Sequence, residues 1–226
     1  MKKKWQKIKN ELEWVGVLEM SNNDFFEVLK ARLFLLKENC WTVIRYWWHP
    51  RFAKRDIQLL MRYFWKSPYR IARECTGEPY GETPLSMMDT IAKKAGITAS
   101  DVVYELGCGR GRACFWLASF IGCKVVGIEY VPKLVEKAKK IHCPLVTFLC
   151  EDYLEADLSE ATVIYLYGTL LSDATVRKIA EKFRGLKKGT KIVTISYPLT
   201  DGFHLVKKFD VQFPWGTTSC YIQEVG

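Results

Sequence analysis

Residues 101–111, Asp-Val-Val-Tyr-Glu-Leu-Gly-Cys-Gly-Arg-Gly, constrain the fold more than any other stretch of the chain. They read as a buried strand with an acid, Glu105, close to its end, running into a turn. Gly107, Gly109 and Gly111 occupy alternate positions, so backbone can approach a ligand where any Cβ would collide. Arg112 to Ile121 is apolar enough to form the next helix. Strand, glycine turn and helix together make the mononucleotide-binding corner of a doubly wound α/β sheet.

The glycine spacing narrows the ligand. A dinucleotide turn needs G-x-G-x-x-G so that a helix N-terminus can meet a pyrophosphate. Counted from Gly107, the third glycine would fall at position 112, where the chain has Arg112. The pattern present is G-x-G-x-G, with Glu105 two residues ahead of it. It suits a ligand without phosphate that carries an ammonium group, which Glu105 attracts directly or through water. In this form it resembles motif I of the class I S-adenosylmethionine-dependent methyltransferases, and the resemblance implies S-adenosylmethionine as cofactor.

The next elements follow in β-α-β order. Lys124 to Glu129 is a short apolar strand ending in an acid eighteen residues past Gly111. A carboxylate there can accept both ribose hydroxyls, as the acid about 20 residues downstream does in Rossmann sheets. Pro132 suits the first turn of a helix through Ile141. A third strand, Leu145 to Cys150, runs into Glu151-Asp152-Tyr153. In the families it resembles, the Asp152-Tyr153 pair lies against the adenine. Taken singly, Glu129 and Asp152 also read as ordinary strand-end acids.

Nearly half of the 226 residues are apolar, which is enough for a folded α/β core with some excess. Eight scattered cysteines without a C-x-x-C pair, and three dispersed histidines, argue against a metal site and for free thiols in a reducing cytoplasm. The basic start Met1 to Lys4 leads into a charged segment, so no signal peptide is expected. No apolar window reaches the ~18 residues of a membrane span.

The front of the chain has a different character. Up to Tyr80 there are 16 Lys and Arg against 9 Asp and Glu, and six of the eight tryptophans. Phe25 to Leu36 and Thr42 to Trp65 have helical apolar spacing, broken at His49-Pro50 because the residue before proline is pushed out of the α region. We expect a helical region over 1–76 and a catalytic domain over 77–226. The front region admits three readings. It is a cap whose tryptophans pack on the domain while its basic side chains reach outward, a surface for nucleic acid or another acidic partner, or an interfacial helix making peripheral contact with anionic lipid.

Between the two regions lies the turn-rich loop Glu78-Pro-Tyr-Gly-Glu-Thr-Pro84, followed by a helix from Leu85 to Ala95. Tyr80-Gly-Glu-Thr83 resembles the Y-G-E-T loop of the disruptor-of-telomeric-silencing histone-lysine methyltransferases. There the loop closes over the methionine part of the cofactor, and the resemblance assigns that contact to Tyr80 and Thr83. The likeness continues through the glycine motif, Glu129 and Asp152-Tyr153 to Gly189-Thr-Lys-Ile-Val-Thr194, covering roughly residues 77–199. One departure stands out. Where that family has a paired asparagine after its fourth strand, this chain has Tyr167-Gly168. Residues 157–164 are similar to bacterial methyltransferases related to the mitochondrial lysine methyltransferases. The resemblance therefore implies a protein-lysine acceptor more than histone specificity, with RNA or a small amine as alternative acceptors, and a non-catalytic cofactor-binding module that docks a partner as the other reading.

Methyl transfer from a sulfonium asks for alignment and a dry cleft, and a lysine acceptor, with a free pKa of ~10.4, must first lose its proton. Tyr165 and Tyr167, on one side of the fourth strand at its carboxyl end, are the candidates for lining the acceptor channel. They equally suit packing under a flanking helix. Ser172 or Asp173 caps a helix through Arg184, and Thr190 to Ser196 is the fifth strand. Lys207 to Phe213 and Thr217 to Glu224, joined by Pro214-Trp-Gly216, form a hairpin. The expected architecture is a Rossmann-like, doubly wound, mostly parallel seven-stranded sheet with an antiparallel C-terminal hairpin and an N-terminal helical region.

Overall fold

The computed structural model describes residues 22–77, 80–169 and 171–226. The basic start Met1 to Lys4, Trp5, Trp14 and the Glu78-Pro79 part of the loop lie outside them. Seven helices and seven strands follow in chain order: α1 (Asn22–Tyr46), α2 (Pro50–Arg62), α3 (Pro68–Thr76), α4 (Leu85–Ala95), β1 (Val102–Leu106), α5 (Arg112–Phe120), β2 (Lys124–Glu129), α6 (Pro132–Lys139), β3 (Val146–Cys150), β4 (Val163–Leu166), α7 (Asp173–Arg184), β5 (Lys191–Ile195), β6 (Phe203–Phe213) and β7 (Gly216–Val225).

The strands form one sheet in the order β3-β2-β1-β4-β5-β7-β6. The first five are mutually parallel, and β7 runs antiparallel to both β5 and β6. Order reverses at β1, between β2 and β4, so the carboxyl ends of these strands form the crevice where such sheets bind ligands. Period-two alternation assigns the two faces. Val103, Val125, Val163, Tyr165 and Val193 pack in one core with the aromatic face of α5, whereas Tyr104, Ile128, Ile164, Leu166 and Ile192 pack in a second core with α7.

The N-terminal helices lie on the first of these cores. Tyr46 meets Trp116 and Phe120 edge-on at 5.8 and 5.2 Å, and its hydroxyl donates to the Leu85 carbonyl at 3.3 Å. Phe52 and Leu59 of α2 are fully buried. Arg55 donates to Ser119 at 3.0 Å and to the His142 carbonyl at 3.2 Å. The inner faces of α1 and α2 are thus a cap on the sheet. Of the described tryptophans in this region, half-buried Trp47 packs on the core and donates to Asp56, Trp48 is exposed with its ring 6.1 Å from Phe120, and Trp41 and Trp65 are exposed.

Two sequence expectations change. The polar stretch Lys37-Glu-Asn-Cys40 does not separate two helices, because α1 continues through it. Glu38 accepts from Ser86 at 2.7 Å, and Thr42 is buried in the following turn, so tertiary contacts carry the helix across. The second helix stops at Arg62 rather than Trp65. A further helix, α3, is capped by the Ser67 hydroxyl accepting from the Arg70 N–H and closed by left-handed Gly77.

Candidate active site at the carboxyl edge of β1 and β2

The glycine turn is held from below by an acid. Glu129, buried at the end of β2, accepts from the Gly109 N–H and the Val131 N–H, both at 2.9 Å. Burial raises its carboxyl above the usual range, though both backbone donors pull the other way. Gly107 has φ +73° and open space where a Cβ would stand, so the crevice reaches its backbone. At Gly109, φ +57°, a Cβ would lie 2.2 Å from the Tyr80 hydroxyl. At Gly111, φ +77°, it would lie 2.4 Å from the Phe148 ring. The three glycines are therefore needed for different reasons: ligand access, loop closure and packing on β3.

Glu105 sits beside Gly107 on the first-core face of β1. It is 7% exposed, and one oxygen accepts from the Cys114 thiol at 2.9 Å. Burial pushes its carboxyl up to about 7, helped by the nearby Glu82 and Glu129 charges and opposed by the Cys114 hydrogen bond. Among the described residues no cation pairs with it. A ligand ammonium entering the crevice would supply the missing charge.

The Tyr80-to-Thr83 loop folds onto this turn. The Tyr80 hydroxyl accepts from the Arg110 N–H at 3.1 Å and donates to Glu82 at 2.8 Å. Glu82 also takes a two-pronged ion pair from Arg110, at 2.6 and 2.8 Å. Thr83 shares a 2.5 Å hydrogen bond with Tyr165, whose ring is fully buried. Gly81, Glu82, Thr83, Glu105, Gly107, Cys108, Arg112, Ala113 and Tyr167 line one crevice. Asp152 and Tyr153 stand past the end of β3. Asp152 is exposed and caps the Leu154 N–H at 2.8 Å, and Tyr153 is half-buried against the second core. All the sequence candidates thus lie along the carboxyl edges of β1 to β4, with Asp152 and Tyr153 at its β3 end and Tyr165 and Tyr167 at its β4 end.

Tyr167 faces Gly81, where a Cβ would lie 2.7 Å from its ring. Its hydroxyl accepts from the Trp215 indole N–H at 2.8 Å, and its ring stacks on Phe213 at 5.0 Å, which in turn stacks on Trp215 at 5.5 Å. Burial lifts the Tyr167 phenol above its ordinary range, so it stays neutral at physiological pH. The sequence marks Phe213 and Trp215 only as hairpin residues, and no local pattern makes them neighbours of the crevice. Glu82 and Arg110 lay inside motifs already singled out. Asp56 did not: this 1% exposed acid of α2 accepts from Arg112 at 2.8 and 3.1 Å and from the Trp47 indole at 3.1 Å. Burial opposes its charge, but Arg112 and Trp47 outweigh that and hold the carboxyl below its usual range.

The chain superimposes on the crystal structure of an RNA methyltransferase from Salinibacter ruber in complex with S-adenosyl-L-homocysteine. It is 31% identical to that protein with a TM-score of 0.56, and the match covers 64% of this chain and 94% of the other. The chain belongs to the class I S-adenosylmethionine-dependent methyltransferases. Residues 105–203 of this methyltransferase match the family model of the ANTKMT methyltransferase domain. Among curated proteins it is 28% identical to the protein-lysine N-methyltransferase of Saccharolobus islandicus, over 54% of this chain and 78% of that protein. It is 25% identical to the sterol 24-C-methyltransferase of Eremothecium gossypii, over 72% of this chain. The methyltransferase spans about half the length of that sterol enzyme, 48%.

The residues present fit the family cofactor. Backbone is open at Gly107, an uncompensated buried carboxylate waits at Glu105, and Glu129 keeps lone pairs beyond those used by the Gly109 and Val131 N–H groups.

Proposed function

We propose that this methyltransferase moves a methyl group from S-adenosylmethionine to a lysine side chain of a protein. The observation that carries this reading is the aromatic wall at the end of the crevice away from Asp152 and Tyr153, where Tyr167 lines the crevice, buried Phe213 backs it and exposed Trp215 continues the stack. S-adenosylmethionine, when bound, supplies an electrophilic methyl on a sulfonium centre. Glu129 would accept the ribose hydroxyls, Glu105 would hold the ammonium, and Asp152 with Tyr153 would border the adenine. Tyr80 and Thr83 would close the loop over the methionine part.

The acceptor side follows from what the wall does to an amine. A lysine stem laid against the Tyr167 ring and the exposed Trp215, with Phe213 buried between them, leaves water behind, and water loss disfavours the ammonium form. The neutral amine that results has the lone pair needed for in-line attack, so the wall does its work by exclusion and alignment. Tyr167, neutral and hydrogen-bonded to Trp215, orients and does not act as a base. Tyr165, buried with its hydroxyl on Thr83, is a positioning residue for the loop. The lysine reading is supported by the likeness to the protein-lysine N-methyltransferase of Saccharolobus islandicus.

The test is transfer of a tritiated methyl group from the cofactor to a host extract. Label should survive nuclease, disappear from the macromolecular fraction after protease, and be recovered as methyl-lysine after acid hydrolysis. Label removed by nuclease and untouched by protease would overturn the lysine assignment.

A further inference from the structure

The outer faces of α1 and α2 carry an organisation that the catalytic reading does not use. On α2 the inward positions are Phe52, Asp56 and Leu59. A second stripe at helical spacing, Ile57, Leu60, Met61 and then Phe64, points away from the core and is 43 to 71% exposed. Trp65, next in the chain, is 91% exposed. On α1 the exposed positions Leu33, Leu36, Val43 and Ile44 lie opposite the half-buried or buried Phe34, Glu38 and Thr42, and Trp48 follows at 72%. Soluble monomers rarely leave so many large apolar side chains in water on adjoining elements.

Charge accompanies the stripe. From Leu29 to Thr76 the chain has eleven Lys and Arg against three Asp and Glu. Those three acids are already engaged, Asp56 by Arg112, Glu38 by Ser86, and Glu74 by Lys66 and Arg70. At the end of the α2 stripe, Arg62, Lys66, Lys133, Lys137 and Lys140 line a cleft of about 460 Å³ in which Glu136 is the one acid. Arg62 Nε is buried without a hydrogen-bond partner among the described residues. No helix among them is long and apolar enough to cross a membrane.

We propose that this face docks on the surface of an anionic lipid bilayer, with Phe64, Trp65 and the α2 stripe in the headgroup and acyl boundary and a lipid phosphate in the Arg62–Lys66–Lys133–Lys140 cleft. The pairing of an apolar stripe with a basic rim is what an interfacial helix needs. A nucleic acid would use the cleft but gain nothing from Ile57, Leu60 and Met61, which favours lipid. The proposal is independent of the acceptor's identity.

Co-sedimentation of the full chain with vesicles tests it, using phosphatidylcholine alone and an equimolar mixture with phosphatidylglycerol. Binding should require the anionic lipid and weaken with added salt. Phe64→Ala with Trp65→Ala should lower partitioning about tenfold or more. Lys133→Glu with Lys140→Glu should lower it by at least about fivefold per site, a basic residue near such a surface being worth about 1 kcal/mol. Unchanged cofactor affinity in each variant shows that it is folded. The proposal fails if the wild-type chain stays in the supernatant. It fails if the aromatic variant binds as well as wild type, because the bilayer contact then lies elsewhere on the chain. It also fails if vesicle-free protein sediments as a dimer that the aromatic substitutions dissociate, because the face then belongs to a second copy.

Discussion

Glu105 is the residue on which cofactor binding and folding pull in opposite directions. Its carboxyl is raised to about 7 by burial, against an unfolded value near 4.3. A carboxyl raised in the fold binds more protons folded than unfolded, so its contribution to stability is present at low pH and is lost as pH rises through about 7. Glu105→Gln should therefore raise the melting temperature of the ligand-free protein at pH 8 and leave it nearly unchanged at pH 4. The same variant should bind S-adenosylmethionine more weakly. At pH 6, calorimetry in buffers of different ionisation enthalpy should detect proton release on cofactor binding by wild type and none by the variant. Equal proton release by both would remove Glu105 from the site. Glu129→Ala deletes the acceptor of two backbone N–H groups as well as the expected ribose acceptor. Charge-assisted hydrogen bonds are worth about 1.5–3 kcal/mol each, so the cofactor dissociation constant should rise at least tenfold. At the acceptor end, Tyr167→Phe and Trp215→Ala each break the 2.8 Å bond that fixes the wall. Each should lower kcat by about tenfold, which is about 1.4 kcal/mol, with cofactor affinity unchanged. A change confined to cofactor affinity would place Tyr167 on the donor side.

Among the elements, α2 decides how the N-terminal region relates to the site. Asp56 joins it to Arg112 at the first position of α5, directly after the glycine turn. Asp56→Ala leaves a largely buried guanidinium without its partner, a loss of about 3 kcal/mol or more for a pair of this kind. Thermal unfolding should shift down accordingly, and cofactor affinity should fall because Arg112 lines the crevice. Stability lost without any change in affinity would make the pair a purely structural tie. This coupling had no trace in the sequence, since the partners are separated by 56 positions and Asp56 lies in no recognisable motif. The same holds for Tyr167 and Trp215, 48 positions apart, brought together only when the β6–β7 hairpin returns beside β5. What could be read were the elements whose signals are local. The apolar strand into three glycines, the proline-started α6, the Ser172 cap of α7 and α4 from Leu85 to Ala95 all sit where their residues place them. The hairpin is longer than expected, because β6 begins at Phe203 on an exposed edge with a register shift between Leu205 and Lys207. An edge strand needs no apolar alternation on both faces.

For the whole molecule, the reversal of strand order at β1 puts the glycine turn, two buried carboxylates and the closing loop along one edge, with the helical cap fastened behind it. Because the donor site uses β1 to β3 and the aromatic wall uses β4 and the terminal hairpin, donor binding and acceptor choice should be separable by mutation. The crevice opens at the carboxyl edge, while the outward faces of α1 and α2 present the apolar and basic surfaces. The most direct test of the central claim is a crystal structure of the chain with S-adenosylhomocysteine. The ribose hydroxyls should lie on Glu129, the amino group at Glu105 and the ligand backbone over Gly107. Well-ordered ligand density away from the β1–β2 edge, with that crevice left closed, would contradict it.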